Sequence, residues 1–211
     1  MNRNTSKYKK GLGIALAIAL FLGGIGVVQK LLLDQEDQFQ DESVVKVEDT
    51  SQTTEEQPEK TVETLKAPVK DGVGIVRYYY SKDDDSAKQE QSLILFEGVY
   101  RPNQGIDYAN KNETFDIIAS MSGTITKKTN DPVLGWTVTI TNDDKISTTY
   151  QSLSEVKVET NQTVKQGDVI GKSGENVYEA DLKNHLHFIL QKEDKIYNPE
   201  KYIGQPLNTI K

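Results

Sequence analysis

From Gly11 to Val28 the chain runs for eighteen residues without a polar side chain, GLGIALAIALFLGGIGVV. As a helix at about 1.5 Å per residue this run measures about 27 Å, close to the roughly 30 Å hydrocarbon core of a bilayer. Extended through Gln29, Lys30 and Leu31–Leu33, it spans with tilt, and Lys30 reaches back to the interface. No face of such a helix is polar, so it does not read as a surface helix of a soluble domain. The run ends in VVQKLLLDQ, without the small-x-small pattern that precedes signal-peptide cleavage. Residues 11–33 are therefore expected to be an uncleaved transmembrane signal anchor. Arg3, Lys7, Lys9 and Lys10 precede it and acids follow it, so residues 1–10 form a cytoplasmic tail and the rest lies across the membrane.

The next segment, residues 34–70, is rich in Asp, Glu, Gln and Thr, with Phe39 its one aromatic residue. It buries too little apolar surface to offset the entropy of ordering it, which predicts an acidic flexible tether. The whole chain of 211 residues leaves room for one domain beyond these pieces, residues 71–211. Its net charge of −7 argues against a nucleic-acid partner, which needs a basic face. The absence of cysteine excludes disulfides, thiolate metal sites and a cysteine nucleophile. With only two histidines, His185 and His187, a site built on three imidazoles is excluded as well.

Beyond Asp71 the pattern becomes a series of short β-type runs, among them Val73–Tyr80, Leu93–Tyr100, Ile106–Ala109, Trp136–Thr141 and Ile146–Gln151. Turn residues at Lys82–Ser86, Pro102–Gln104, Asn130–Pro132 and Asn142–Asp144 separate them. Runs this short at this spacing predict an all-β, antiparallel architecture. The only helical turn expected lies near Ser154–Val158. Lys82–Asp85 reads as a solvated turn, and Trp136 as core or groove wall.

Alternation on a strand places His185 and His187 on one face and Leu186, Phe188 and Leu190 on the other, as core. The same reasoning points Asp107 away from Ile106 and Tyr108. A carboxylate and two imidazoles on neighbouring strands would then converge. Taken alone, an H-x-H pair on a strand is more often a half-exposed surface pair than a metal site, and Asp107 alone reads as a solvated or turn-bonding acid.

The order of several blocks resembles the LytM-type (M23) zinc endopeptidases of bacterial cell walls. Asn103–Ala109 resembles their H-x-G-x-D region, and Ile118–Ile125 the strand-turn-strand that follows. Thr149–Ser154 resembles Y-x-H-L-S, Val164–Gly174 the V-x-x-G-x-x-I-G-x-S-G turn, and His185–Phe188 the H-L-H-F strand. The resemblance implies zinc held at positions 103, 107 and 187, with positions 152 and 185 as the catalytic pair. Asp107, His185 and His187 match. Asn103 stands at the first ligand position and Ser152 at the Y-x-H position. A catalytic zinc takes three protein ligands plus a water, and a neutral amide is a poor substitute for imidazole. Without the metal no hydroxide forms near pH 7. Loss of one charge-stabilising group typically costs about 10²–10³ in rate. Asn103, Asp107 and His187 are therefore expected to be the remnant of a metal site, Ser152 and His185 degenerate catalytic positions, and zinc lost or weak.

The single anchor, the acidic tether and the block from Tyr78 to Tyr108 narrow the resemblance to forespore membrane proteins of endospore-forming bacteria that carry a degenerate LytM module. That resemblance implies a non-catalytic binding protein. Its outer domain would project between forespore and mother cell and engage a mother-cell protein in the engulfment zipper and in an intercellular channel. A homo-oligomeric ring is left open. The alternatives are an active zinc cell-wall endopeptidase and a non-catalytic peptidoglycan-binding module.

Overall fold

The computed structural model describes residues 62–211. The expected tail, the apolar segment 11–33 and most of the tether lie outside the described residues. Among the described residues no helix is long and apolar enough to cross a membrane.

The described part is antiparallel β throughout its sheets. In chain order it has β1 (Gly74–Arg77), helix α1 (Ser86–Gln91), β2 (Leu93–Phe96), β3 (Val99–Pro102), β4 (Ile106–Ala109) and β5 (Asp116–Ile118). There follow β6 (Gly123–Asp131), β7 (Gly135–Thr141), β8 (Ile146–Val156), β9 (Thr163–Val164), β10 (Val169–Ser173), β11 (Leu186–Lys192) and β12 (Lys195–Tyr197). The main sheet runs β1-β4-β11-β8-β7-β6-β9, with β10 joining β8 to β5 and β12 flanking β11. β2 and β3 stand apart as a two-stranded hairpin. The core lies on one side of the central strands, where Ile106, Tyr108, Val138, Ile140, Tyr150, Leu186, Phe188 and Leu190 are buried. The opposite side of β4 and β11 carries the polar residues considered below.

Several local features depart from the sequence expectations. The run Leu93–Tyr100 is a hairpin, because Glu97 (φ 51°) and Gly98 (φ 75°) both take left-handed backbone and turn the chain. The expected turn near Ser154–Val158 is largely strand, since β8 continues to Val156. The helix lies instead at α1, where the Asp85 carboxylate accepts the Lys88 N–H at 2.9 Å and caps its start. The Lys82–Asp85 turn thus ends in a helix cap.

The folded unit also takes in residues 62–70, assigned to the tether on composition. Leu65 and Val69 are buried in the core. The Leu65 N–H donates to the Gln205 carbonyl and the Gly204 N–H to the Leu65 carbonyl, while Lys66 N–H donates to Ser120. Glu63 accepts from the Ser122 hydroxyl and N–H at 2.8 Å. Two apolar residues in a polar stretch suffice here because a ready-made backbone partner receives them. Leu65→Ala is expected to lower unfolding stability by about 2–5 kcal/mol, read from urea denaturation of the chain. A change indistinguishable from zero would return this segment to the tether.

Candidate functional site

β4 lies between β1 and β11, in a register that sets Asp107 opposite His187 and Arg77 opposite Asp107. Residues opposite one another on neighbouring strands share a face, so Arg77, Asp107 and His187 form a polar row behind the core. His187 Nδ1 donates to Asp107 Oδ1 at 2.7 Å. The expected convergence of Asp107 with H-x-H is therefore present, and both side chains are buried.

Asn103 enters from the chain just before β4. Its Oδ1 accepts the Gly105 N–H at 3.1 Å, while its Nδ2 donates to the Tyr78 carbonyl and to Asp107 Oδ2, each at 3.1 Å. These partners fix the amide orientation: reversed, oxygen would face oxygen at Tyr78 and N–H would face N–H at Gly105. Asn103 thus turns a donor toward Asp107, and a donor offers no lone pair to an ion. Gly105 is required for the close approach of β11. A Cβ there would stand 2.5 Å from the Phe188 carbonyl oxygen and 2.9 Å from His187 Nε2.

Ser152 and His185 also meet, with Ser152 Oγ 2.9 Å from His185 Nε2. Strict alternation from Thr148 and Tyr150, both buried on the core side, would turn Ser152 into the core. Instead Ser152 has φ 65°, and Leu153 takes the core position beside it. Asn176 Nδ2 donates to Ser152 Oγ at 2.5 Å. The Lys183 carbonyl, an acceptor only, lies 2.7 Å from His185 Nδ1, which therefore carries a proton.

Two charged residues that the sequence reading did not single out complete the cluster. Glu179, 1% exposed, lies just before a 3-10 turn at Ala180–Leu182. Its Oε2 is 3.3 Å from His185 Nε2, and its Oε1 is 3.5 Å from His187 Nδ1. Arg77 ends β1 and is 6% exposed. Its Nη1 is 3.3 Å from Glu179 Oε1 and 3.8 Å from Asp107 Oδ2, and its Nη2 is 2.5 Å from Asp181 Oδ2 at the rim. The sequence held one signal for Arg77, a lone cation inside an otherwise uncharged β-run. Glu179 sits in the irregular stretch NVYEADLKN and gives none.

Burial opposes every charge here, and the partners decide the balance. Burial would lower the His187 pKa, but the charges of Glu179 and Asp107 raise it to about 10. His185 is likewise raised despite burial, chiefly by its contact with Glu179. Burial would raise Glu179, yet the His187 charge and the histidine hydrogen bonds hold it well below the usual carboxylate range. For Asp107 burial prevails over the His187 charge, and its pKa is raised. One oxygen of Asp107, one of Glu179 and one ring nitrogen of His187 lie within 4.8 Å of one another, a spacing that suits a metal. The donor set as folded does not suit zinc. His187 Nδ1 is protonated, Asn103 presents an N–H, and a guanidinium lies against both carboxylates. Beside His187 opens a groove of about 730 Å³, lined among others by Ile94, Phe96, Pro102, Tyr178 and Ile189.

Residues 101–199 match the model of peptidase family M23. Stage II sporulation protein Q of Bacillus subtilis (strain 168) is 42% identical over 154 residues, which cover 72% of this chain and 54% of that protein. A chain in the solved structure of the SpoIIQ-SpoIIIAH pore forming complex superposes with a TM-score of 0.69 at 41% identity, covering 71% of this chain and 97% of that one. The chain belongs to the stage II sporulation protein Q family. It spans about half the length of its Bacillus subtilis relative. A zinc-containing peptidase from Vibrio cholerae (TM-score 0.53, 19% identity, covering 65% of this chain and 39% of that one) shares the fold. In this member of the stage II sporulation protein Q family, the M23 frame thus surrounds a cluster of paired charges.

Two outcomes follow from this geometry. Gly105→Ala forces the Phe188 strand or the His187 ring to move and is expected to lower stability by about 1–3 kcal/mol in thermal or urea unfolding. His187, with its folded pKa raised from 6.5 to about 10, contributes stability in full below pH 6.5 and loses it as the pH rises through 10. Unfolding free energy is expected to decline across that window, and His187→Gln to remove that part of the decline. A parallel decline in the variant would show that His187 is not held charged.

Proposed function

We propose that this chain is a non-catalytic, membrane-anchored binding protein of endospore formation, and that its partner is stage III sporulation protein AH. One observation carries the reading: 41% identity across 97% of a chain from the solved SpoIIQ-SpoIIIAH complex. The site supports it from a second direction. Asn103, Asp107 and His187 are the remnant of a metal site whose lone pairs and protons are used internally. Ser152 and His185 are degenerate catalytic positions that bond to each other, to Asn176 and to Glu179. Zinc is lost or weak in this reading, and hydrolysis is not the function.

The rest of the proposal concerns placement. Residues 1–10 lie in the forespore cytoplasm, 11–33 cross its membrane, and the acidic segment up to about residue 61 tethers the β domain in the intermembrane space. A tether raises the local concentration of the domain near the opposing membrane. Docking is proposed to add a partner strand to an open edge. The β2–β3 hairpin is the best placed, since it pairs with no other strand and holds Leu95, Val99 and Tyr100 at 52%, 52% and 65% exposure. Assembly into a homo-oligomeric ring is compatible with this arrangement and is not required by it.

A second reading, a peptidoglycan-binding module, is favoured by the groove beside His187. One set of measurements separates the readings. The purified outer domains of this chain and its partner, mixed at tens of micromolar, are expected to co-sediment as a complex. Tyr100→Asp on the hairpin is expected to weaken it at least about tenfold, on the scale of about 1.4 kcal/mol. Absence of a complex, together with retention on peptidoglycan, selects the module reading. Cleavage of peptidoglycan cross-links by the chain, lost in His187→Ala, would restore the peptidase.

A further inference from the structure

The cluster holds two buried carboxylates, Asp107 and Glu179, and the group lying against both is a side chain of the same molecule. Arg77 Nη1 is 3.3 Å from one and 3.8 Å from the other. The guanidinium is held there from outside by Asp181 at 2.5 Å, and from below by the register that sets Arg77 opposite Asp107. A zinc ion needs carboxylate oxygens at about 2.0–2.2 Å, and here the lone pairs it would use already face a fixed positive charge.

We propose that Arg77 is a built-in cation that takes the place of a divalent metal, and that its removal uncovers a zinc-class site formed by Asp107, Glu179 and His187. The inference rests on the non-catalytic reading above and deepens it. Asn103 and Ser152 account for a poor ligand and a missing imidazole. They do not explain what neutralises the two carboxylates. Arg77 does so together with the His187 imidazolium, and the fixed guanidinium makes the cluster independent of metal supply. Glu179 gives the uncovered site a third donor that the missing histidine no longer provides. One donor atom from each of the three residues already lies within 4.8 Å of the others, the separation expected of ligands around one ion. With the guanidinium gone, the strongest remaining demand of the carboxylates is for a cation, and binding one displaces the proton from His187 Nδ1.

The test uses the full chain in detergent, as wild type, Arg77→Met, Arg77→Lys and Arg77→Met/His187→Gln. Each is incubated with Zn²⁺, passed through gel filtration and assayed for bound metal and for thermal unfolding with and without EDTA. Arg77→Met is expected to retain about one zinc per chain and to melt several degrees higher with zinc than with EDTA. Wild type and Arg77→Lys, which keep a cation, are expected to retain only traces and to show no EDTA-sensitive shift. The double variant is expected to lose the uptake. Folding of Arg77→Met only when zinc is present would support the proposal in its strongest form. Stoichiometric zinc in wild type overturns it, and turnover by that zinc form would also overturn the non-catalytic reading. Metal-free wild type beside a metal-free Arg77→Met, whether folded or not, overturns the proposal alone. It would mean that the uncovered donors cannot recruit an ion.

Discussion

Two carboxylates buried side by side are costly, and the arrangement of β1, β4, β11 and the stretch around Glu179 follows from how that cost is met. Asp107 sits on β4 and Glu179 on an irregular segment far along the chain. Arg77 from β1 and the imidazolium of His187 from β11 supply two positive charges against them. Removing one partner of such a set strands an uncompensated charge and typically costs about 3–5 kcal/mol. β1 is an edge strand, and its last residue is bonded to the 3-10 turn on the other side of the cluster. The charge cluster therefore fastens the sheet edge to the rest of the domain in a way that backbone pairing with β4 alone does not.

The frame around the cluster is set by the backbone more than by the side chains at the site. Gly105 leaves room for the His187 ring, and the β4–β11 register sets a carboxylate opposite an imidazole. The left-handed backbone at Ser152 swings its side chain toward His185. These are backbone properties, fixed by the path of the strands. The side chains at positions 103 and 152 then supply polar contacts around the cluster. Fold and chemistry are separable in this domain because the strands carry one and a few side-chain termini carry the other.

The sequence made legible whatever depends on local alternation. Asp107, His187 and the core face of Leu186, Phe188 and Leu190 follow from a period of two on adjacent strands, and their convergence needed only the right register. The antiparallel β class followed in the same way from run length and turn residues. Arg77 and Glu179 are 102 residues apart and meet only through tertiary contact. No local pattern marks a glutamate in a loop as buried. The Leu93–Tyr100 run concealed a hairpin because Glu97 gives no sign of adopting φ > 0, although Gly98 beside it does. Residues 62–70 read as tether because composition averages over a window. Two apolar side chains with a waiting backbone partner decide the matter one residue at a time. Asp85 reads as one acid of a run until its carboxylate is seen to cap α1.

Asn103 shows what the altered site does for the rest of the domain. Its backbone N–H donates to the Ser92 carbonyl and its carbonyl accepts from the Tyr80 N–H. Its side chain reaches the Tyr78 carbonyl on one side and Asp107 on the other. A residue spending its side chain on a metal could not also make the two side-chain contacts. As an amide it connects the charge cluster to Tyr78, at the start of the segment that carries α1 and the β2–β3 hairpin. The hairpin with its exposed Leu95, Val99 and Tyr100 is thus tied through Asn103 to the paired charges. A docking strand would meet an edge that is already held in place, so less ordering entropy is lost on association. Asn103 therefore joins the charge cluster to the segment that leads into α1 and the hairpin.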